Sequence, residues 1–135
     1  MKASDLRIGN FISSYCPISV VIGIDYEGVV DTAYYEHGKG VDYTSEWHSN
    51  EGSINPIPLT EEWLVKFGFH SIQTKFEKYY NEHGQMVSIS QHRSWGDNKI
   101  ISYSISNGGI EINHVHQLQN LYHALTAEEL TINED

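Results

Sequence analysis

With 135 residues the chain has the length of one domain, and a chain of that size buries about 65 to 70 % of its unfolded surface, enough to fold without a metal or a disulfide. Eighteen acidic side chains against eight basic ones leave a formal charge of −10, which repels phosphate backbones and anionic lipid and argues against nonspecific nucleic-acid binding and polybasic membrane anchoring. The single Cys16 excludes an intrachain disulfide, no apolar run approaches the ~20 residues of a membrane span, and Met1-Lys2-Ala3-Ser4-Asp5 turns polar where a secretory signal turns apolar, so a cytoplasmic protein is expected.

Hydrophobic alternation runs through the chain, broken by glycine, asparagine and histidine-rich stretches that read as turns between short strands. Arg7 to Ser13 is the first strand, with Gly9-Asn10 suited to a bulge or turn at its entrance. Ile18 to Asp25 contains Val20-Val21-Ile22, apolar on both faces, which predicts a strand covered on both sides. Tyr26-Glu27-Gly28 connects it tightly to Val29 to Tyr35, so residues 18 to 35 form a hairpin. From Glu36 to Asn55 no period holds, and this stretch is expected as the longest loop.

Pro56 and Pro58 end that loop. Thr60 stands at an N-cap, Glu61 and Glu62 lie near the positive end of the helix dipole, Trp63, Leu64 and Phe67 mark a buried stripe, and Gly68 gives a left-handed stop; a helix over 60 to 67 follows. Alternation returns in Ser71 to Tyr80, Gln85 to His92, Lys99 to Ser106 and Ile110 to His116, joined through Asn81-Glu82-His83-Gly84, Trp95-Gly96-Asp97-Asn98 and Asn107-Gly108-Gly109. Such short connections demand antiparallel neighbours, hence a four-strand meander. In its third strand Ile101, Tyr103 and Ile105 share one face and Ser102 and Ser104 the other. Leu118, Leu121, Tyr122 and Leu125 recur at helical spacing, which predicts a covering helix over 116 to 125. Thr126 and Glu129 fit a capping box for a last short turn ending at Leu130, after which 131 to 135 should fray.

The expected fold is α+β and mainly antiparallel β: an N-terminal hairpin or small barrel-like unit plus the four-strand meander, covered by two short helices, in a single domain over 1 to 135. Trp63, Leu64, Phe67, Leu118, Leu121 and Leu125 are its predicted core. Val29 to Tyr35 carries little charge beyond Asp31, and an open edge of that kind predicts a symmetric homodimer.

Three stretches carry a resemblance. Leu6-Arg7-Ile8-Gly9-Asn10, then Pro58-Leu59-Thr60-Glu61-Glu62-Trp63-Leu64 with Lys66-Phe67-Gly68-Phe69, and finally Val115-His116-Gln117-Leu118-Gln119-Asn120-Leu121-Tyr122 with Ala124-Leu125-Thr126 and Glu128-Glu129-Leu130 resemble a family of small uncharacterised proteins of phages and mobile elements of gut bacteria. The family pattern has an aromatic at the position of His114, phenylalanine at His123 and glycine at Ala127. The resemblance implies a phage or mobile-element setting and places His116, Gln117 and Gln119 within the motif, without assigning an activity.

Several constellations are candidates for chemistry. His114-Val115-His116 followed by His123 permits a three-histidine metal site, two rings on one strand face and two sharing a helix face; in the plainer reading His116 caps the helix and the others are surface groups. His92, Arg93 and Trp95 sit beside a hairpin turn, where arginine and tryptophan are the usual anchors for a partner or an anion, unless the indole folds back over its own hairpin. Tyr34-Tyr35-Glu36-His37 with Tyr43, Glu46, Trp47 and His48 combines ring faces and carboxylates suited to gripping a ligand or a protein surface, and Glu46 with His48 is a candidate acid and base pair. The sequence has no nucleophile elbow, P-loop, His-Glu-x-x-His helix or dinucleotide glycine fingerprint, and Cys16 reads as a small buried hydrophobe.

The functional expectation is a non-catalytic binding protein without a cofactor. It engages a host protein or sequesters a small, nucleotide-like ligand through Tyr35, Tyr43, Trp47, His48, His92, Arg93 and Trp95. The alternative is a metal-dependent hydrolase built on His114, His116 and His123.

Overall fold

The computed structural model describes residues 1–36, 38–73, 75–80, 83–97, 99–105 and 110–132, without the side chains of Ser45 and Ile101. His37, the turn residues Asn81, Glu82 and Asn98, the 107–109 connection and the last three residues lie outside the described residues. Two compact units divide the chain, Met1–Ile57 and a second that begins at Pro58. Each holds one antiparallel sheet of four strands in sequence order, so the α+β, mainly antiparallel architecture stands; neither sheet closes into the barrel that was one form of the expectation.

In the first unit the strands are β1 (Phe11–Ile12), β2 (Ser19–Ile24), β3 (Val30–Glu36) and β4 (Gly40–Ser49). The turn before β1 closes through Asn10, whose Oδ1 accepts the Arg7 N–H at 2.7 Å. The β2–β3 hairpin is the predicted one: Asp25 Oδ1 accepts the N–H groups of Glu27 and Val29 at 2.8 and 3.0 Å, and Gly28 supplies a φ of +86° that a side chain rarely adopts. Ala3, Leu6, Ile12, Val21, Val30 and Ile54 form the core of this unit.

The stretch expected as a long loop is instead largely β4, the longest of the described strands. It pairs with β3 in two registers, Val30↔Ser49 to Ala33↔Glu46 and Tyr34↔Asp42 to Glu36↔Gly40, so Tyr43, Thr44 and Ser45 form an excursion without partners on β3. Asp42 stabilises the excursion, its Oδ1 accepting the Thr44 N–H at 3.0 Å. The odd insertion into an exposed edge strand erases the alternation by which strands are read. Residues 29 to 35, expected as an exposed edge, are accordingly an inner strand covered by β4.

In the second unit α1 (Glu61–Lys66) forms as the sequence predicts: Thr60 Oγ1 accepts the Trp63 N–H at 3.4 Å, and Gly68 at φ +88° lets the Phe69 N–H reach the Leu64 carbonyl at 3.0 Å. Trp63, Leu64 and Phe67 are buried. The meander consists of β5 (His70–Ile72), β6 (Lys75–Tyr79), β7 (Met86–Arg93) and β8 (Ile100–Ile105). Its membership differs from the expectation at both ends. Gln73 takes a φ of +56° and splits the predicted first strand into the β5–β6 hairpin. Residues 110 to 116 are not a fourth strand: among the described residues they meet β8 at the Ser104↔Glu111 bridge, with bonds from the Ile105 N–H to the Ile110 carbonyl and from the Ile112 N–H to the Tyr103 carbonyl on either side of it. Ser104 is buried as Tyr103 is, so neither face of β8 is simply wet; the Ile101 side chain lies outside the described residues.

The second helix, α2, spans Val115–Thr126. Its buried stripe is Val115, Leu118, Gln119 and Tyr122, rotated from the predicted one; Leu121 is half-buried and Leu125 is 53 % exposed. Ala127 at φ +60° ends the helix, and Thr126 closes it, its Oγ1 donating to the Tyr122 carbonyl at 2.7 Å and accepting the Glu128 N–H at 3.1 Å, in place of the predicted capped turn. Lys78, on the inner face of the sheet, donates to the Phe67 carbonyl at 2.6 Å at the end of α1; burial lowers its pKa, opposed by Glu128. Among the described residues no helix is long and apolar enough to cross a membrane.

Candidate functional site

The first candidate surface lies on β4. Successive residues of a strand point to opposite faces, and the register sets Trp47 opposite Thr32 and His48 opposite Asp31. Trp47 stacks against Tyr15, ring centroids 5.0 Å apart at 36°, and both stay open to solvent at 45 % and 62 %. On the other face His48 Nδ1 is hydrogen-bonded to Asp31 Oδ1. That bond and the Asp31 charge raise the His48 pKa above 6.5, opposed by slight desolvation and aided by Glu46 and Asp25. The expected Glu46–His48 pair is therefore an Asp31–His48 pair, formed across strands by residues 17 apart and so invisible to local spacing. Gly23 shares this cross-strand row; a Cβ there would lie 3.1 Å from Asp31 Oδ2. Tyr43 is exposed on the excursion. Tyr35 is a core residue, edge-on to Phe11 with centroids 5.3 Å apart, and cannot grip a ligand. The rings and the His48 imidazole do not converge on one pocket.

The second candidate surface is the end of the β7–β8 hairpin. Ser94 Oγ is hydrogen-bonded to Asp97 Oδ1, the same oxygen accepts the Lys99 N–H at 3.2 Å, and the Ser94 N–H reaches the Lys99 carbonyl at 2.9 Å. The bond from Ser94 Oγ first, then that from the Lys99 N–H, hold the Asp97 carboxyl below its usual pKa, and together with the Ser94–Lys99 backbone bond they fix the turn. At its tip Trp95 is 101 % exposed, as open as in an extended peptide, so the indole projects and does not fold back over the hairpin. Arg93 and Gln91 meet the start of α1: Gln91 Nε2 donates to Glu61 Oε1 at 2.8 Å, Arg93 donates to Gln91 Oε1 at 3.1 Å, and its guanidinium stands 3.8 Å from Glu61 Oε1. His92, on the opposite face, bonds Ser104 Oγ through Nε2 at 2.6 Å. Beside β8 runs a cleft of about 400 Å³ lined by Leu59, Thr60, Glu61, Ile100, Ser102, Tyr103 and Asn113. Burial, and secondarily Glu61, raise the Tyr103 pKa, with Arg93 opposing.

The three histidines do not assemble. His114 and His116 stack, centroids 5.8 Å apart, but His116 is buried within the first turn of α2 and His123 lies two turns further on. Among the described residues no group of three or more histidine, cysteine, aspartate or glutamate side chains is placed to hold a metal. The cap position belongs to His114, not His116, and Gln117 Oε1 accepts the N–H groups of Asn113 and His114 at 3.0 and 3.1 Å. The feature that residue patterns missed is the cleft, whose walls are 40 residues apart in sequence. Comparison with protein-family models, with curated proteins and with solved structures finds no match.

Proposed function

We propose that the protein is a non-catalytic binding module that engages a host protein on behalf of a phage or mobile element. The observation that carries this reading is Trp95, an indole held wholly in water at the tip of a hydrogen-bonded turn. Burying ~200 Å² of indole in a partner's pocket is worth ~5 kcal/mol before ordering costs, and a turn already fixed keeps those costs low. A convex tip fills a pocket and does not enclose a small molecule, which favours a protein partner over a sequestered ligand. The mobile-element setting rests on the three motifs named above.

The test is capture from a gut-bacterial host lysate by the immobilised protein and by Trp95→Ala. A host protein retained in stoichiometric amount by the wild type and lost by the variant, with unchanged thermal unfolding, is the expected result. Identical retention by both overturns the Trp95 assignment. Incubation with a nucleotide panel checks the other half: turnover of any member overturns the non-catalytic reading, and tight recovery of one intact nucleotide favours sequestration.

A further inference from the structure

We infer that the cleft beside β8 takes up an extended peptide segment bearing a lysine or arginine, which adds to the sheet as a further strand. β8 is the last strand of its sheet, and among the described residues the chain that returns along it pairs over Tyr103 to Ile105. That chain then turns away at Asn113, whose carbonyl accepts the Leu59 N–H at 2.9 Å, and the gap between Ile100–Ser102 and Pro58–Glu61 is the cleft. A strand edge next to a slot of this kind pairs with an incoming backbone. The opposite wall starts with Pro58, which has no N–H to donate, so the ladder runs on the β8 side.

The side-chain chemistry of the slot selects the segment. Leu59, Ile100 and Tyr103 give apolar contact, and the Thr60 and Ser102 hydroxyls can donate. Glu61 Oε1 accepts from Gln91 Nε2 at 2.8 Å and stands 3.8 Å from the Arg93 guanidinium. Asn113, which also lines the slot, is held by Glu111, whose Oε1 accepts from its Nδ2 at 2.9 Å. In a chain of net charge −10, the Glu61 carboxylate on the wall of the slot favours a cationic side chain and repels an acidic one.

This site is separate from the Trp95 tip and is tested without it. A displayed library of random twelve-residue peptides is selected against the full chain, and the leading peptide is resynthesised for titration and for amide-resolved NMR. Enriched peptides are expected to alternate β-branched residues around one lysine or arginine and to shift the amides of Ile100 to Tyr103. Replacing that basic residue by alanine, or Glu61→Gln in the protein, should weaken binding ~5- to 10-fold. Ser102→Trp, which fills the slot, should abolish it with unchanged circular dichroism; should that variant unfold, the alanine peptide and Glu61→Gln still decide. Trp95→Ala should bind the peptide as the wild type does. Failure to enrich, enrichment indifferent to basic residues and to Glu61→Gln, or shifts confined elsewhere overturn the proposal.

Discussion

Thr32 sits in the inner strand β3 with its side chain fully buried, and its hydroxyl has no hydrogen-bond partner among the described residues; the Ser49 hydroxyl, on the neighbouring β4, is in the same condition. Val30 lies opposite Ser49 and Thr32 opposite Trp47, so the two hydroxyls are diagonal neighbours on one face. Burying a hydroxyl without compensation costs about 1–3 kcal/mol. Thr32→Val removes that cost, matches the shape closely enough to leave no cavity, and suits a strand. The expected gain is about 1–2 kcal/mol, or about 3–6 °C in Tm for a chain of this length. Ser49→Ala should gain less, about 0.5–1 kcal/mol, because it gives up contact as well. Urea midpoints and calorimetry on the two single variants and the double variant make the measurement. A loss of more than about 0.5 kcal/mol in Thr32→Val, or a coupling of that size in the double-variant cycle, refutes the reasoning, since either means that the two hydroxyls satisfy one another or share a bound group.

Ala127 closes α2 in a left-handed conformation that glycine adopts without strain; Ala127→Gly should raise stability by about 0.5–1 kcal/mol in the same urea assay, and a loss counts against the observed backbone at the helix end. Asp31→Asn should bring the His48 titration midpoint down toward 6.5 in NMR; because the wild-type pKa is raised in the folded state, the stability that Asp31 confers is full below pH 6.5 and fades as pH rises through the folded value, so the two proteins should converge in stability at alkaline pH. An unmoved midpoint contradicts the pair.

The elements legible in the sequence are those fixed by local chemistry. Thr60 caps its own helix, Gly68 stops it and Asp25 folds the β2–β3 turn, each through bonds spanning a few residues. Where the outcome depends on register, the sequence is silent. The partner of His48 is Asp31 only because β4 resumes its pairing with β3 after three extra residues, and the burial of Tyr35 depends on its position in β3 against Phe11. In α2 the spacing finds Leu118 and Tyr122, which are buried, but packing completes the stripe with Val115 and Gln119 where the pattern offered Leu121 and Leu125. Arginine and tryptophan near a turn are visible by eye, whereas the direction in which Trp95 points is a property of the bonds around Ser94 and Asp97.

The excursion in β4 gives the first unit a built-in splice point. Tyr34 and Ala33 are consecutive on β3, and their partners Asp42 and Glu46 would become consecutive on β4 if residues 43 to 45 were excised, with every flanking side chain keeping its face. Segments of other lengths can be exchanged there under the same rule, because both flanks are anchored independently by their own ladders. The sheet can therefore carry foreign loops of variable length at this one place while its core sequence stays constant, which makes the edge a natural site for diversification and a convenient graft position for a tag or an epitope.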